Sequence, residues 1–200
     1  KSKEYAPKLF SLTSLQGYIT SKYSHFTSDK VLNMCQSLYE GKGKGGYITY
    51  PRTDSVYLEE SLTDKASQRL KQNLPYEDKI KFAKTKRVFD SSKVDSHSAI
   101  IPTYIVPNSL TPDEQIVYQA IKDRFIANFM PPAEYENTEI KTDVDDSVFL
   151  TKGKVLKVKG YLEVYNKEQK NDLLPSMEKG ENVEVLEILP LKKQTTPPKS

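Results

Sequence analysis

The amino-acid sequence predicts an α+β fold in two units, a helical one over about 10–130 and a β-rich one over about 133–200. Apolar residues recur at helical spacing in four stretches before residue 130, and Pro131-Pro132 ends that pattern. The runs beyond are short, rich in Val, Ile, Leu and Thr, and bounded by turn signals, which is the signature of strands. Helices and strands segregated along the chain make an α+β arrangement rather than an alternating one. At 200 residues the chain can bury roughly 70% of its unfolded surface, in one sizeable core or two small ones.

Leu12, Leu15, Ile19 and Tyr23 recur at helical spacing behind Ser11 or Thr13, either of which can cap a first short helix. A second helix is predicted over 28–40, with Val31, Leu32, Cys35, Leu38 and Tyr39 on one face and Gly41 as its stop. Only residues 24–27 separate the two, so a helix-turn-helix pair is expected. A glycine and lysine loop, 41–46, leads into Tyr47-Ile48-Thr49-Tyr50, which reads as a β-strand from its aromatic and β-branched content. Pro51, with no N–H to give a ladder, halts it. A third helix is expected over about 58–73, with Leu58, Leu62, Ala66 and Leu70 in line. Residues 75–98 are polar, basic and weakly patterned, and Ala99-Ile100-Ile101-Pro102 reads as a short buried extended segment.

The clearest helix start is Thr111-Pro112-Asp113-Glu114: a capping hydroxyl, proline at the first helical position and glutamate three residues after the cap. That helix should run to about Met130, with Ile116, Val117, Ala120, Ile121 and Phe125 as its buried stripe. Strands are predicted over 139–144, 148–152, 155–165 and 183–189, with turns at Asp145-Asp146 and at 178–181. Asp143-Val144-Asp145-Asp146 has the Asp-x-Asp form of a metal pair, but two strand-like runs flank it. It is read as a hairpin turn and assigned no metal.

Composition excludes several classes of function. No apolar run approaches the roughly 20 residues a bilayer span needs, and no secretory pattern opens the chain, so action within a membrane is not expected. The single cysteine, Cys35, falls on the apolar face of the second helix and reads as a buried inert thiol in a reducing, intracellular setting. With two histidines and no His-x-His, a zinc or relaxase-type site lacks ligands. The 30 Lys+Arg and 27 Asp+Glu leave a net charge of only +3, too little to announce nucleic-acid binding. Residues 1–100 carry 17 basic and 11 acidic groups, 101–150 carry 3 and 9, and 151–200 carry 10 and 7. The basic excess thus falls where the candidate chemistry lies, although an ordinary solvated surface accounts for so small an excess equally well. The chain opens without Met and closes on Thr196-Pro197-Pro198-Lys199-Ser200, with no cap or strand pattern to finish a domain, and is read as a piece of a longer protein.

If 47–50 is a strand, Tyr50 and Arg52 lie two residues apart in extended chain and project from one face. A phenol and a guanidinium aimed at one point suit a phosphodiester. An ordinary phenol, with a pKa of about 10, is neutral at pH 7 and a poor nucleophile, so it needs nearby positive charge. A guanidinium supplies that charge, and its forked donors match two phosphate oxygens. Alone, the pair is also what a packed tyrosine beside a solvated arginine looks like, in a chain with 13 tyrosines.

The longer string, Tyr47-Ile48-Thr49-Tyr50-Pro51-Arg52-Thr53-Asp54-Ser55, resembles the active-site signature of type IA DNA topoisomerases. Four further segments agree in order. Leu12-Thr13-Ser14-Leu15-Gln16 is similar to the family's opening helix, and Gln36-Ser37-Leu38-Tyr39-Glu40 to the helix before the active strand. Ser96-His97-Ser98-Ala99-Ile100-Ile101-Pro102-Thr103 is similar to its histidine motif, and Thr195-Thr196-Pro197-Pro198 to the return segment after its β arch. Pro51 and the Ile-Ile-Pro-Thr ending lean toward the topoisomerase III branch.

The resemblance implies an isomerase that changes DNA topology without ATP through a 5′-phosphotyrosine on a single strand. It makes Tyr50 the nucleophile and Arg52 and His97 the groups that meet the scissile phosphate, with Gln36 as a DNA contact and Thr53, Asp54 and Ser55 either bonding DNA or orienting Arg52. Capping a following helix is an equal alternative for Ser55, and His25, outside any motif, reads as a turn residue. The implied domains are a first β-arch strand in 1–9, a winged-helix-like tyrosine domain over 10–132 and the second, truncated part of the arch over 133–200. Mg²⁺ is expected in an upstream domain that nothing here matches. The 200-residue piece alone should bind single-stranded or underwound DNA weakly and not relax a plasmid. A bacterial cytoplasmic, nucleoid-associated setting is implied as well. The loop 41–46 is longer than the family's usual connection.

A non-catalytic winged-helix DNA-binding module is the alternative, and it predicts that Tyr50 is dispensable. A tyrosine recombinase needs several arginines before its tyrosine, and none precedes Tyr50.

Overall fold

The computed structural model describes residues 1–41, 45–70, 76, 78–166, 170–187 and 189. Helix α1, Leu12–Lys22, begins at Ser11, whose hydroxyl accepts the Ser14 N–H while the Ser14 hydroxyl accepts the Ser11 N–H. Two donors that a helix start leaves open are satisfied reciprocally. Helix α2, Ser28–Glu40, is capped by Thr27 and ends where Gly41 turns left-handed at φ 63, a conformation that costs glycine nothing. The turn between α1 and α2 holds His25, which bonds Asp113 at 3.2 Å.

The expected third helix starts late. Leu58 is buried, but in extended chain: its N–H bonds the Val88 carbonyl and its own carbonyl accepts the Asp90 N–H. The Ser98 and Ser91 hydroxyls then accept the Glu59 and Glu60 N–H groups. Backbone groups satisfied in that way are withheld from a helix, so α3 occupies only Thr63–Leu70, after a 3-10 turn at Glu60–Leu62. Residues 71–73 lie outside the described chain.

Helix α4, Pro112–Ala127, carries the expected capping box, with the Thr111 N–H bonded to the Glu114 carboxylate at 2.8 Å. It closes three residues before Met130 because the Phe129 N–H bonds the Ile126 carbonyl in a tighter turn. Two apolar clusters meet along this helix. Val117 and Ile121 pack with Leu15, Ile19, Val31 and Leu38 of α1 and α2. Phe125 and Ile126 pack with Leu9, Leu58, Phe89, Tyr135 and Leu162. Cys35 is fully buried in the first of these clusters, and burial pushes its thiol up to about 12, so it stays protonated and inert.

Strands β1 (Ser2–Glu4), β2 (Ala133–Val144) and β3 (Ser147–Val158) form an antiparallel sheet in the order β1-β2-β3. Asp145 at φ 51 and Asp146 make the β2–β3 hairpin turn. The predicted strands 139–144 and 148–152 are the outer parts of longer ones. The predicted strand 155–165 is corrected: β3 stops at Val158 and Gly160–Glu163 is a 3-10 turn. Gly160, at φ 52, lies so close to the Pro131 and Pro132 carbonyls that a Cβ would come within 2.4 Å of each, which bends the chain out of the ladder. Residues 183–187 and 189 are not a strand either, and 188 lies outside the described residues. No helix among the described residues is long and apolar enough to cross a membrane.

Candidate active site

The site is built from the loop end upward. The Tyr47 N–H bonds the Leu38 carbonyl at 2.8 Å, which lays the chain across the last turn of α2. Gly46 makes that approach possible, since a Cβ there would lie 2.4 Å from the Tyr39 carbonyl oxygen. Gly46→Ala is therefore expected to cost about 1–3 kcal/mol, read as a lowered melting temperature, because the obstacle is backbone and cannot rotate away. An unchanged melting temperature would contradict the close approach.

The segment 47–50 is not the expected strand. Its one bridge among the described residues pairs Ile48 with Pro102, flanked by Thr49 N–H to the Ile101 carbonyl at 2.9 Å and Thr103 N–H to the Tyr47 carbonyl at 2.9 Å. Pro51 and Pro102 have no N–H to extend the ladder. Two threonine hydroxyls add the missing ties. Thr49 donates to the Ala99 carbonyl and accepts the Ile101 N–H, and Thr53 donates to the His97 carbonyl at 2.8 Å and accepts the Ser55 N–H. The tyrosine and histidine motifs, more than forty residues apart in sequence, are thereby stapled edge to edge.

Tyr50 is half-buried between two rings. Tyr39 meets it edge-on with centroids 5.4 Å apart, and the His97 imidazole lies 4.4 Å away at 44°. Its hydroxyl has no hydrogen-bond partner among the described residues. Arg52 does not simply share a strand face with Tyr50. The Thr53 N–H turns back to the Pro51 carbonyl at 3.0 Å, and Arg52, at the centre of that tight turn, is exposed. It opens on a cleft of about 200 Å³ that it shares with Asp54, Lys93, Asp95 and His97. His97, exposed, is the residue common to both: its ring lies against Tyr50 and its side lines the cleft of Arg52. Among the described residues Arg52 has no ion-pair partner, so its donors face solvent.

The remaining candidates divide. Asp54 is exposed at the cleft. Gln36 lies one turn before Tyr39 on α2, with its amide donating to Glu40 at 2.8 Å. Thr53 is turned inward at 7% exposure with its hydroxyl committed to backbone, so it positions His97. Ser55 caps no helix, because none starts there. Its hydroxyl accepts the Tyr57 N–H and reaches the Lys93 carbonyl at 3.3 Å. Sequence reasoning missed two neighbours. Tyr39 falls by spacing on the same apolar face of α2 as Cys35 and Leu38, yet it is 39% exposed and packs on Tyr50. Lys93 sits in a polar stretch whose lack of period gives no signal. Among the described residues no group of three or more His, Cys, Asp or Glu is arranged to hold a metal ion.

A family model for DNA topoisomerase matches residues 1–200. The chain belongs to the DNA topoisomerase family, in its type IA class. Relatives named DNA topoisomerase 3 fit the lean drawn from Pro51 and the histidine motif. That of Staphylococcus saprophyticus is 35% identical over 98% of this chain and 28% of its own length, and that of Bacillus cereus is 33% identical over 99% and 29%. Full-length topoisomerase I from Thermotoga maritima superposes with a TM-score of 0.65 and 28% identity, covering 88% of this chain and 30% of that one. The chain thus spans under a third of the length of these relatives.

Proposed function

We propose that this chain carries the nucleophile of a reaction that breaks and reseals one strand of DNA, with Tyr50 attacking and Arg52 and His97 holding the phosphate. The convergence on His97 supports this most: one imidazole lies 4.4 Å from the Tyr50 ring and lines the cleft that receives Arg52. The Tyr50 phenol gives up its proton and its Oη–phosphorus bond forms as the bond from phosphorus to the 3′ oxygen breaks. That oxygen takes up a proton and leaves as a 3′-hydroxyl, while the 5′ phosphate stays esterified to tyrosine. A guanidinium fork and an imidazole N–H at the phosphate oxygens stabilise the charge of the transition state. Reversal by the 3′-hydroxyl reseals the strand. Because the new ester conserves the energy of the old one, no ATP is needed.

In this reading residues 10–132 form the winged-helix-like tyrosine domain, and residues 1–9 with 133–200 belong to the β arch. The antiparallel pairing of Ser2–Glu4 with β2 supports the second assignment. Gln36 and Asp54 contact DNA, whereas Thr53 and Ser55 act by holding the backbone of His97 and Lys93. The Mg²⁺ that the family implies finds no fitting donor set among the described residues and is assigned to a part of the protein upstream of Lys1. No step above is routed through it. The substrate is single-stranded or underwound DNA in the bacterial cytoplasm, at the nucleoid, and this piece alone does not relax DNA.

The test is the polarity of covalent capture. With the full-length protein, an oligonucleotide labelled at its 3′ end should travel with the protein on a denaturing gel, while a 5′ label is released on a shorter strand. Capture of the 5′ label instead overturns the assignment.

A further inference from the structure

Beyond the cleft of Arg52, three cations and two aromatic rings follow one another, joined by cation–ring contacts and one backbone hydrogen bond. Lys93, which lines that cleft, donates from Nζ to the Tyr57 hydroxyl at 3.4 Å and lies 4.9 Å from the ring centroid. On the same ring Lys8 Nζ sits 4.3 Å from the centroid, and it also donates to the Arg87 carbonyl at 2.7 Å. Arg87 donates to the Ala6 carbonyl and holds its guanidinium 5.1 Å over the ring of Tyr5, which is 54% exposed. Lys8 and Lys93 together hold the Tyr57 phenol below its ordinary value, as two ammoniums on one ring should. Lys93 is partly offset by Asp90 at 3.6 Å, whereas Lys8 and Arg87 have no carboxylate partner among the described residues. Asp54 and Asp95 line the cleft itself.

Resting on the proposed reaction, we propose that the DNA strand entering the Arg52 cleft continues over Lys93, Tyr57, Lys8, Arg87 and Tyr5, with phosphates on the cations and unstacked bases on the two rings. A run of cations alone would suit any polyanion. Rings set among them, Tyr5 exposed and Tyr57 half-buried, suit a strand whose bases are free to stack, since every base offers a π face. A duplex, whose bases are already stacked, leaves the rings idle.

Binding of a fluorescein-labelled oligothymidylate to the full-length protein is measured over 50–200 mM salt. Each phosphate contact on a single strand contributes about 0.7 to the slope of log K against log salt, so the double variant Lys8→Gln/Lys93→Gln should lower the slope by about 1.4. Tyr57→Leu should weaken binding about tenfold with the slope kept, because it removes a stack and no charge. The control Lys152→Gln/Lys157→Gln, on the β2–β3 hairpin, should leave the slope as it is. A slope in the Lys8/Lys93 variant equal to that of the control, or wild-type affinity in Tyr57→Leu, overturns the track. Adduct formation is scored on the same wild-type preparation. No adduct sinks the cleavage reading, whereas adduct with unmoved slopes sinks the track alone.

Discussion

Replacing Tyr50 by phenylalanine is expected to abolish the covalent protein–DNA adduct while leaving single-strand affinity close to that of the unaltered protein. Phenylalanine keeps the ring, and with it the edge-on contact to Tyr39 and the contact to His97, so the packing that shapes the site survives. Such ring pairs contribute about 0.5–1.5 kcal/mol each and owe nothing to the hydroxyl. What is lost is the one atom that, in the proposed reaction, forms the bond to phosphorus. Loss of a covalent nucleophile lowers the rate on the order of 10⁴-fold or more, which takes the adduct below detection on a denaturing gel. An adduct that persists in Tyr50→Phe moves the chemistry to another residue and ends the proposal. Loss of the adduct is also the result that a purely DNA-binding module cannot explain.

Arg52→Ala should slow single-turnover adduct formation by about 10²–10³-fold, the usual cost of removing one preorganised donor from a transition state. Because Arg52 is exposed and engages no partner among the described residues, its loss should not lower the melting temperature, which separates a chemical effect from a folding one. Arg52→Lys should recover only part of the rate, since an ammonium keeps the charge but not the two-pronged fit to a pair of phosphate oxygens. Wild-type rates in Arg52→Ala would leave His97 as the sole phosphate donor and contradict the shared cleft.

Local signals carried most of the helical unit. A capping hydroxyl, proline at the first helical position and a glutamate three residues after the cap are contained in four consecutive residues, and α4 starts there. Gly41 ends α2 as expected for the same reason. Where backbone partners come from far along the chain, periodicity misleads. Leu58 falls in register with Leu62, Ala66 and Leu70, yet its hydrogen bonds run to Val88 and Asp90. The tyrosine motif was legible as a string, but its conformation was not, because the ties that shape it come from Ala99, Ile101 and Thr103. The strand expected at 47–50 would have set Tyr50 and Arg52 side by side. The turn at Arg52 instead makes His97 the hinge of the site, a pairing no spacing in the sequence could express.

Helix α4 bears on mechanics as well as packing. Arg124, buried, donates to the Lys8 carbonyl and the Tyr165 hydroxyl and stacks 3.9 Å over Phe10, so one side chain rivets the segments flanking the sheet to the cluster that holds Tyr47 and Ile48. Past Tyr135 the residues of β2 are no longer buried, and the hairpin there is held chiefly by its own ladder. A two-stranded ribbon of that kind is compliant, whereas the riveted block is stiff. Load applied at the hairpin tip is then taken up as flexure of the ribbon, and the geometry around Tyr50 is spared.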